Sequence, residues 1–251
     1  MKLTQPYKRI IRPFSLPNNY TVGYNSQTNY IADDRYASDR YEIIRAYHIL
    51  EKDMVHLFEF IEPSDANLAT YSYRIYELLL RASTEFELNS KKILSANGYA
   101  RAGNWNVTDY FKINAATHLS EYRLFINIWA SGKKEINPFA EWSIGHALSW
   151  YQDYNSVKHN RHDEFPRASL DNLLKAVAAV FSVIFAQFHN FIFTQYQPTM
   201  MYNSDSDTLE LSSENTVFGI ILPNTWTDPE MYEFNWDKLR ANNDPFQNYP
   251  F

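Results

Sequence analysis

The chain has 251 residues, 45% of them apolar, which suits one large domain or two small ones and excludes a disordered or low-complexity segment. With no cysteine, disulfide frameworks, thiolate metal sites, iron–sulfur clusters and thiol nucleophiles are excluded, and the six glycines supply no phosphate-cradling triplet. The net charge of -6 is unevenly spread: residues 1–32 carry Lys2, Lys8, Arg9 and Arg12 and no acid, whereas from Asp205 onward nine acids face only Lys238 and Arg240. A nucleic-acid binder is expected to show a basic face, and here only the arm and one internal segment offer one.

The first eleven residues lack an apolar stretch of signal-peptide length, which with the absent cysteines predicts a cytoplasmic protein. Residues 1–37 read as a basic extended arm, residues 38–196 as a helical bundle and residues 197–251 as an acidic tail packed on it. The opposite charges predict that arm and tail pair, within one chain or across a dimer.

A first helix is expected from a cap at Ser38, with Tyr41, Ile44, Tyr47, Leu50, Met54, Leu57 and Phe58 on one stripe, stopped by Pro63. A second runs from about Ser64–Asn67 to Asn97-Gly98, a helix-ending pair, and turns Ile75, Leu79, Ala82, Phe86 and Ile93 inward. Joined by a short turn, the two should lie antiparallel. Residues 99–117 read as a loop with one short helix near Thr108–Ile113. The alternation of Tyr122, Leu124, Ile126 and Ile128 against Arg123 and Asn127 predicts a strand within 120–130. A third helix is expected over Ala147–Asn160, and a fourth, capped by Ser169 and apolar nearly all round, runs to about Gln195. Its apolar run, Ala176–Ala186, is too short for a membrane span of about 20 residues and reads as a core helix. Two apolar stretches either side of Ser-Ser-Glu-Asn, at residues 209–211 and 217–222, predict a short hairpin in the tail. The fold class is therefore mainly α, an up-and-down helical bundle with a small β excursion and a tail hairpin.

Chemistry concentrates between Asn155 and His162, where Lys158, His159, Arg161 and His162 occur with no acid. Asn155 and His159 share a helix face, and Arg161 follows just beyond the turn. An imidazole moves protons near neutral pH and a guanidinium holds phosphate, the minimum equipment for phosphodiester chemistry or phosphate binding. Cations in a last helical turn also complement the helix dipole, the purely structural account of the same residues. Glu85 and Glu87 on the second helix, with Arg74 and Arg81, are the other polar group; pairing one turn apart explains them, and a carboxylate reaching the His159 segment would be the functional version. No metal site is expected, because His159 and His162 beside Asp163 and Glu164 lack the paired Glu-x-x-His helices of a di-metal bundle. No Gly-x-Ser-x-Gly elbow occurs either.

The helix Tyr73–Ile93, the segment Trp150–Arg161 with its Tyr154-Asn-x-x-Lys-His-x-Arg pattern, the Pro138-Phe139 and Trp142 region and the helix opening at Ala168-Ser-Leu-Asp-Asn-Leu-Leu together resemble HEPN-type helical bundles over residues 38–196. The resemblance implies a homodimer, an expectation to which the 17% aromatic content also contributes, and a bacterial protein acting on or binding RNA or nucleotides in stress or phage defence, with no cofactor and no membrane. Many such domains are metal-independent ribonucleases whose signature is an arginine a few residues before a histidine. His159 matches the histidine and Asn155 the polar position, but Tyr154 stands where the arginine belongs. If the chain is catalytic, His159 is the general acid or base, Arg161 and Lys158 hold phosphate with help from His162, Asn155 orients and Glu85 positions the cations. The alternative is a non-catalytic dimeric interaction module.

Overall fold

The computed structural model describes residues 2–15, 26–192, 210–211 and 216–251. They form a mainly helical protein with a small antiparallel sheet. The helices are α1 (Arg40–Leu57), α2 (Tyr73–Ala96), α3 (Val107–Thr117), α4 (Ser149–His159), α5 (Arg161–Glu164), α6 (Leu170–Phe188) and α7 (Trp236–Leu239). The strands are β1 (Arg123–Trp129), β2 (Gly132–Ile136), β3 (Glu210–Leu211) and β4 (Phe218–Ile221), in the order β2-β1-β4-β3.

At the centre lies α6, in which every residue from Ala176 to Phe188 is buried. It is long and apolar enough to cross a membrane, yet almost all of it is enclosed by the protein, which makes it a core helix. Ser169 caps it by accepting from the Asn172 N–H at 3.3 Å. The helix ends at Phe188, earlier than expected, where His189 takes a positive φ of 50°.

Contacts at the helix ends give the directions of the chain. Lys92 near the end of α2 pairs with Asp39 before α1, and Arg81 and Arg74 pair with Asp53 late in α1, so α1 and α2 lie antiparallel. The N–H of Leu170 reaches the Thr70 carbonyl while Gln187 meets Asn89, so α6 runs with α2. Trp150 packs on Phe86 and Arg161 on Tyr73, so α4 runs against α2.

Several boundaries differ from the sequence reading. Ser38 does not cap α1, and Asp39 at its start turns its carboxylate to Arg9 and Lys92 instead. Tyr41 lies on the outer face and is exposed, and α1 ends at Leu57, well before Pro63. The second helix begins at Tyr73, capped by the Ser72 hydroxyl, and the expected start is only a 3-10 turn, Asp65–Asn67. The short helix near Thr108 is a full α3 because Asn106 and Asp109 form a reciprocal capping box.

The two β excursions are one sheet, since β4 from the tail pairs with β1, and β3 pairs with β4. The Ser-Ser-Glu-Asn link of the expected hairpin lies outside the described residues. A register shift between Ile126 and Trp129 breaks the predicted alternation, leaving Ile128 exposed and turning Trp129 inward. Phe218 meets Phe181 and Tyr122 meets Phe185, so the sheet packs on α6.

Arm and tail pair within the chain. Backbone hydrogen bonds link Leu3 to Met231 and Glu233, and Pro13 and Ser15 to Tyr232. The charged contacts are peripheral: Lys8–Asp244 at 3.6 Å and Lys2–Glu233 at 4.0 Å, each with a well-exposed acid. Asn97 at the end of α2 joins both segments, donating to the Lys8 carbonyl and accepting from the Tyr249 N–H. The arm's arginines are not a basic face, because Arg9 and Arg12 are both buried.

Candidate functional site

The predicted cluster sits where α4 breaks into α5. Asn160 at the break has extended backbone (φ -137°, ψ 61°), so His159 closes one helix and Arg161 opens the next. The inner face of α4 is aromatic and buried: Trp150 donates to the Pro138 carbonyl at 2.9 Å, and Tyr151, Tyr154 and Val157 complete it. That periodicity forces Lys158, His159, Arg161 and His162 outward, and all four are exposed.

Their surroundings differ. Arg161 holds its guanidinium over the rings of Tyr73 and Tyr76 at 5.5 and 5.7 Å and has no carboxylate partner among the described residues. Tyr71 and Tyr73 beside it are exposed, and Phe165 packs on Tyr71, Tyr73 and Tyr76 from below. His159 makes no hydrogen bond or ion pair among the described residues. His162 is paired with Asp163 at 2.9 Å, which offsets its charge. Lys158 donates to the Tyr154 hydroxyl at 2.9 Å, and its amine is held even more firmly protonated by that contact. Asn155, half-buried, donates to the Tyr151 carbonyl of its own helix at 3.0 Å and so does not orient the histidine by that group.

The carboxylate that reaches α4 is Glu87, not Glu85. Glu87 accepts from the Tyr151 hydroxyl at 2.9 Å and the Tyr154 hydroxyl at 3.3 Å, with Lys91 at 3.9 Å. Burial beside that charge pushes the Tyr151 phenol well up. Two residues along a helix is more than half a turn, so Glu85 faces elsewhere: burial raises its carboxyl, with Arg81 partly opposing. It positions none of the cations. Tyr154, at the place of the family arginine, is buried and bonded to Glu87, so nothing at that position reaches the His159 surface.

Tyr73 and Tyr76, missed at the sequence level, carry a signal in the aromatic spacing Tyr71-Ser-Tyr73-x-x-Tyr76 before a helix. Among the described residues no group of His, Asp and Glu converges as a metal site. No protein-family model, curated protein or solved structure matches the chain.

Proposed function

We propose that the α4–α5 corner binds the phosphate and bases of RNA or nucleotides, and that the protein is a HEPN-like bundle that holds this ligand without cutting it unaided. The observation that carries the reading is the exposed Arg161 guanidinium, free of carboxylates and set over Tyr73 and Tyr76 beside exposed His159. Aromatic faces orient the planar fork while leaving its N–H donors open to phosphate. Exposed Tyr71 and Tyr73 offer rings for base stacking, which is worth about 1–3 kcal/mol per base. The alternating directions of α1, α2, α4 and α6 support the up-and-down bundle. The inward Tyr154 supports binding over cleavage, because no guanidinium stands behind His159 to stabilise charge on phosphate. A role in stress or phage defence and a homodimeric state come with the resemblance. Light scattering is expected to give twice 29.6 kDa.

A labelled RNA oligonucleotide in metal-free buffer tests the reading. Wild type is expected to retain it with affinity falling as salt rises, and to leave it intact. Tyr73→Ala is expected to weaken binding roughly 5- to 100-fold, the equivalent of one lost stack. Arg161→Ala weakens it too, and Arg161→Lys recovers little, since a point charge does not reproduce the fork. Metal-free cleavage by wild type that a folded His159→Ala variant loses overturns the non-cleaving half of the proposal. Wild type that neither retains nor cuts RNA or nucleotide overturns all of it.

A further inference from the structure

We infer that His118 is a proton-dependent clip that fastens the C-terminal strap, residues 225–234, onto the helical core. His118 ends α3 with a left-handed backbone (φ 56°), which carries its ring out of the helix toward the strap. Its Nδ1 lies 3.0 Å from Glu121 Oε1 and its Nε2 lies 3.1 Å from Glu230 Oε1. The ring stacks on Trp226, with centroids 3.9 Å apart and planes 19° from parallel. Glu121 belongs to the core turn directly after α3, whereas Glu230 and Trp226 belong to the strap.

The chemistry follows from counting donors. An ionised carboxylate only accepts, and neutral imidazole has a single N–H, so only the imidazolium satisfies both carboxylates. Removing the proton leaves a ring lone pair facing a carboxylate oxygen. The two carboxylates sit on opposite edges of the ring and do not converge on one point, so they form a clamp and not a metal site.

Every element around the ring bears on its charge. From the strap come Glu230, the Trp226 face and the Thr225 hydroxyl, which donates to Glu121 at 2.6 Å. The core contributes Glu121. From the arm comes Arg12, whose guanidinium lies 5.3 Å over the far aromatic, Trp226, and donates to the Ala116 and Glu230 carbonyls. Two anions favour the imidazolium and one cation opposes it. Glu230 is also bound by the Thr227 N–H and hydroxyl, at 2.9 and 2.6 Å, which keeps it an acceptor. The closed clamp takes up a proton that the open one does not need, so closure strengthens as pH falls through the His118 titration and weakens as pH rises. What the strap holds down is the arm, through Tyr232 and Glu233.

The clip lies at the Asn97 end of α2, because Arg12 packs on Tyr249, whose N–H binds Asn97. The α4–α5 corner lies at the Tyr73 end, a helix length of roughly 36 Å away, so the clip stands independently of the proposed ligand site.

Hydrogen exchange of the full-length chain between about pH 5.5 and 9, corrected for intrinsic rates and read on peptides spanning 225–234, tests the clip. Wild type is expected to lose protection there by about tenfold or more across a one-proton transition. His118→Asn is expected to give lower protection that does not change with pH, since asparagine tolerates the left-handed backbone and carries no titrating ring. Glu230→Gln is expected to flatten the profile as well, because an amide can turn a donor toward neutral nitrogen, and it serves if His118→Asn does not fold. A pH-independent wild type, or the wild-type slope surviving in either folded variant, overturns the inference.

Discussion

Gln187 is shared by three elements. Its carbonyl oxygen accepts from Arg9 of the arm at 3.1 Å, its amide donates to Asn89 of α2 at 3.0 Å and to the Val183 carbonyl at 3.2 Å, and the Tyr36 hydroxyl donates to its backbone at 2.6 Å. Buried completely, it has every polar atom of its side chain matched. Gln187→Leu keeps the volume but leaves Asn89 without its donor and Arg9 short of an acceptor. We expect a loss of about 1–3 kcal/mol, read as a lower urea midpoint with an unchanged slope. Glu85 works in the other direction. Burial raises its carboxyl, so the folded chain holds a proton more tightly than the unfolded one, and stability falls as pH rises between the ordinary carboxyl range and the raised value. Glu85→Gln is expected to remove that decline and to leave the neutral-pH unfolding midpoint equal or slightly higher. These side chains mark where sequence reading stops. Gln187 looks like the polar boundary of an apolar run and is instead inside the core. The choice between Glu85 and Glu87 depends on a second seam, Ser83, Glu87, Ser90 and Leu94, that small serines make hard to see beside the stripe of Ile75, Leu79, Ala82 and Phe86.

The sheet depends on a single close approach between neighbouring strands. Phe125 of β1 is buried yet stands apart from the main core, on the face away from Leu124 and Ile126, lying directly over Gly219 of β4 and under the Lys133 amine of β2. A Cβ on Gly219 falls 1.9 Å from the Phe125 ring, far inside contact distance. Gly219→Ala is therefore expected to cost about 1–3 kcal/mol by overpacking. Phe125→Ala in the same chain removes the clash, so the double variant should be more stable than the sum of the single losses, and thermal unfolding of the four chains in this cycle measures the coupling. Additive losses would show that the ring and the glycine do not meet. The same contact explains why β2 escaped the sequence reading. Gly132-Lys-Lys-Glu-Ile has no alternating apolar pattern, and its strand state comes from pairing with β1, with Lys133 over Phe125 and Lys134 bonded to Asp65. The long helices were legible because their burial repeats every three or four residues, a pattern written directly in residue type.

At the scale of the whole molecule, the arm and tail close one end of the bundle with aromatic rings. Tyr7, Phe14, Tyr30, Tyr232, Phe234 and Trp236 form a connected set there, taking up within the chain much of the aromatic content that suggested an interface. The two most strongly depressed carboxyls border this end. Arg101 foremost, with the Tyr99 hydroxyl and Asn106 N–H, outweighs burial to hold Asp109 at about 2. At Glu230, burial pushes upward but Thr227 and His118 bring the group down to about 2. Both are lowered relative to the unfolded chain, so their contribution is complete above the ordinary carboxyl range near 4.5 and is lost as pH falls from there toward 2. Asp109 closes the capping box of α3, and Glu230 closes both the turn at Thr227 and the contact to His118. Acid should therefore loosen the arm, the strap and the start of α3 before the α2–α6 core, whose ladder of apolar contacts carries no such group. Hydrogen exchange at about pH 3 is expected to show early exposure of residues 2–15, 106–117 and 225–234 with the peptides of α6 still protected. Asp109→Asn keeps the cap's shape without the ionisation and should lower neutral-pH stability while reducing the further loss between pH 4.5 and 2. Simultaneous exchange of α6 and the strap in acid, or an Asp109→Asn chain with the wild-type acid profile, would show that this end of the bundle is not where acid acts first.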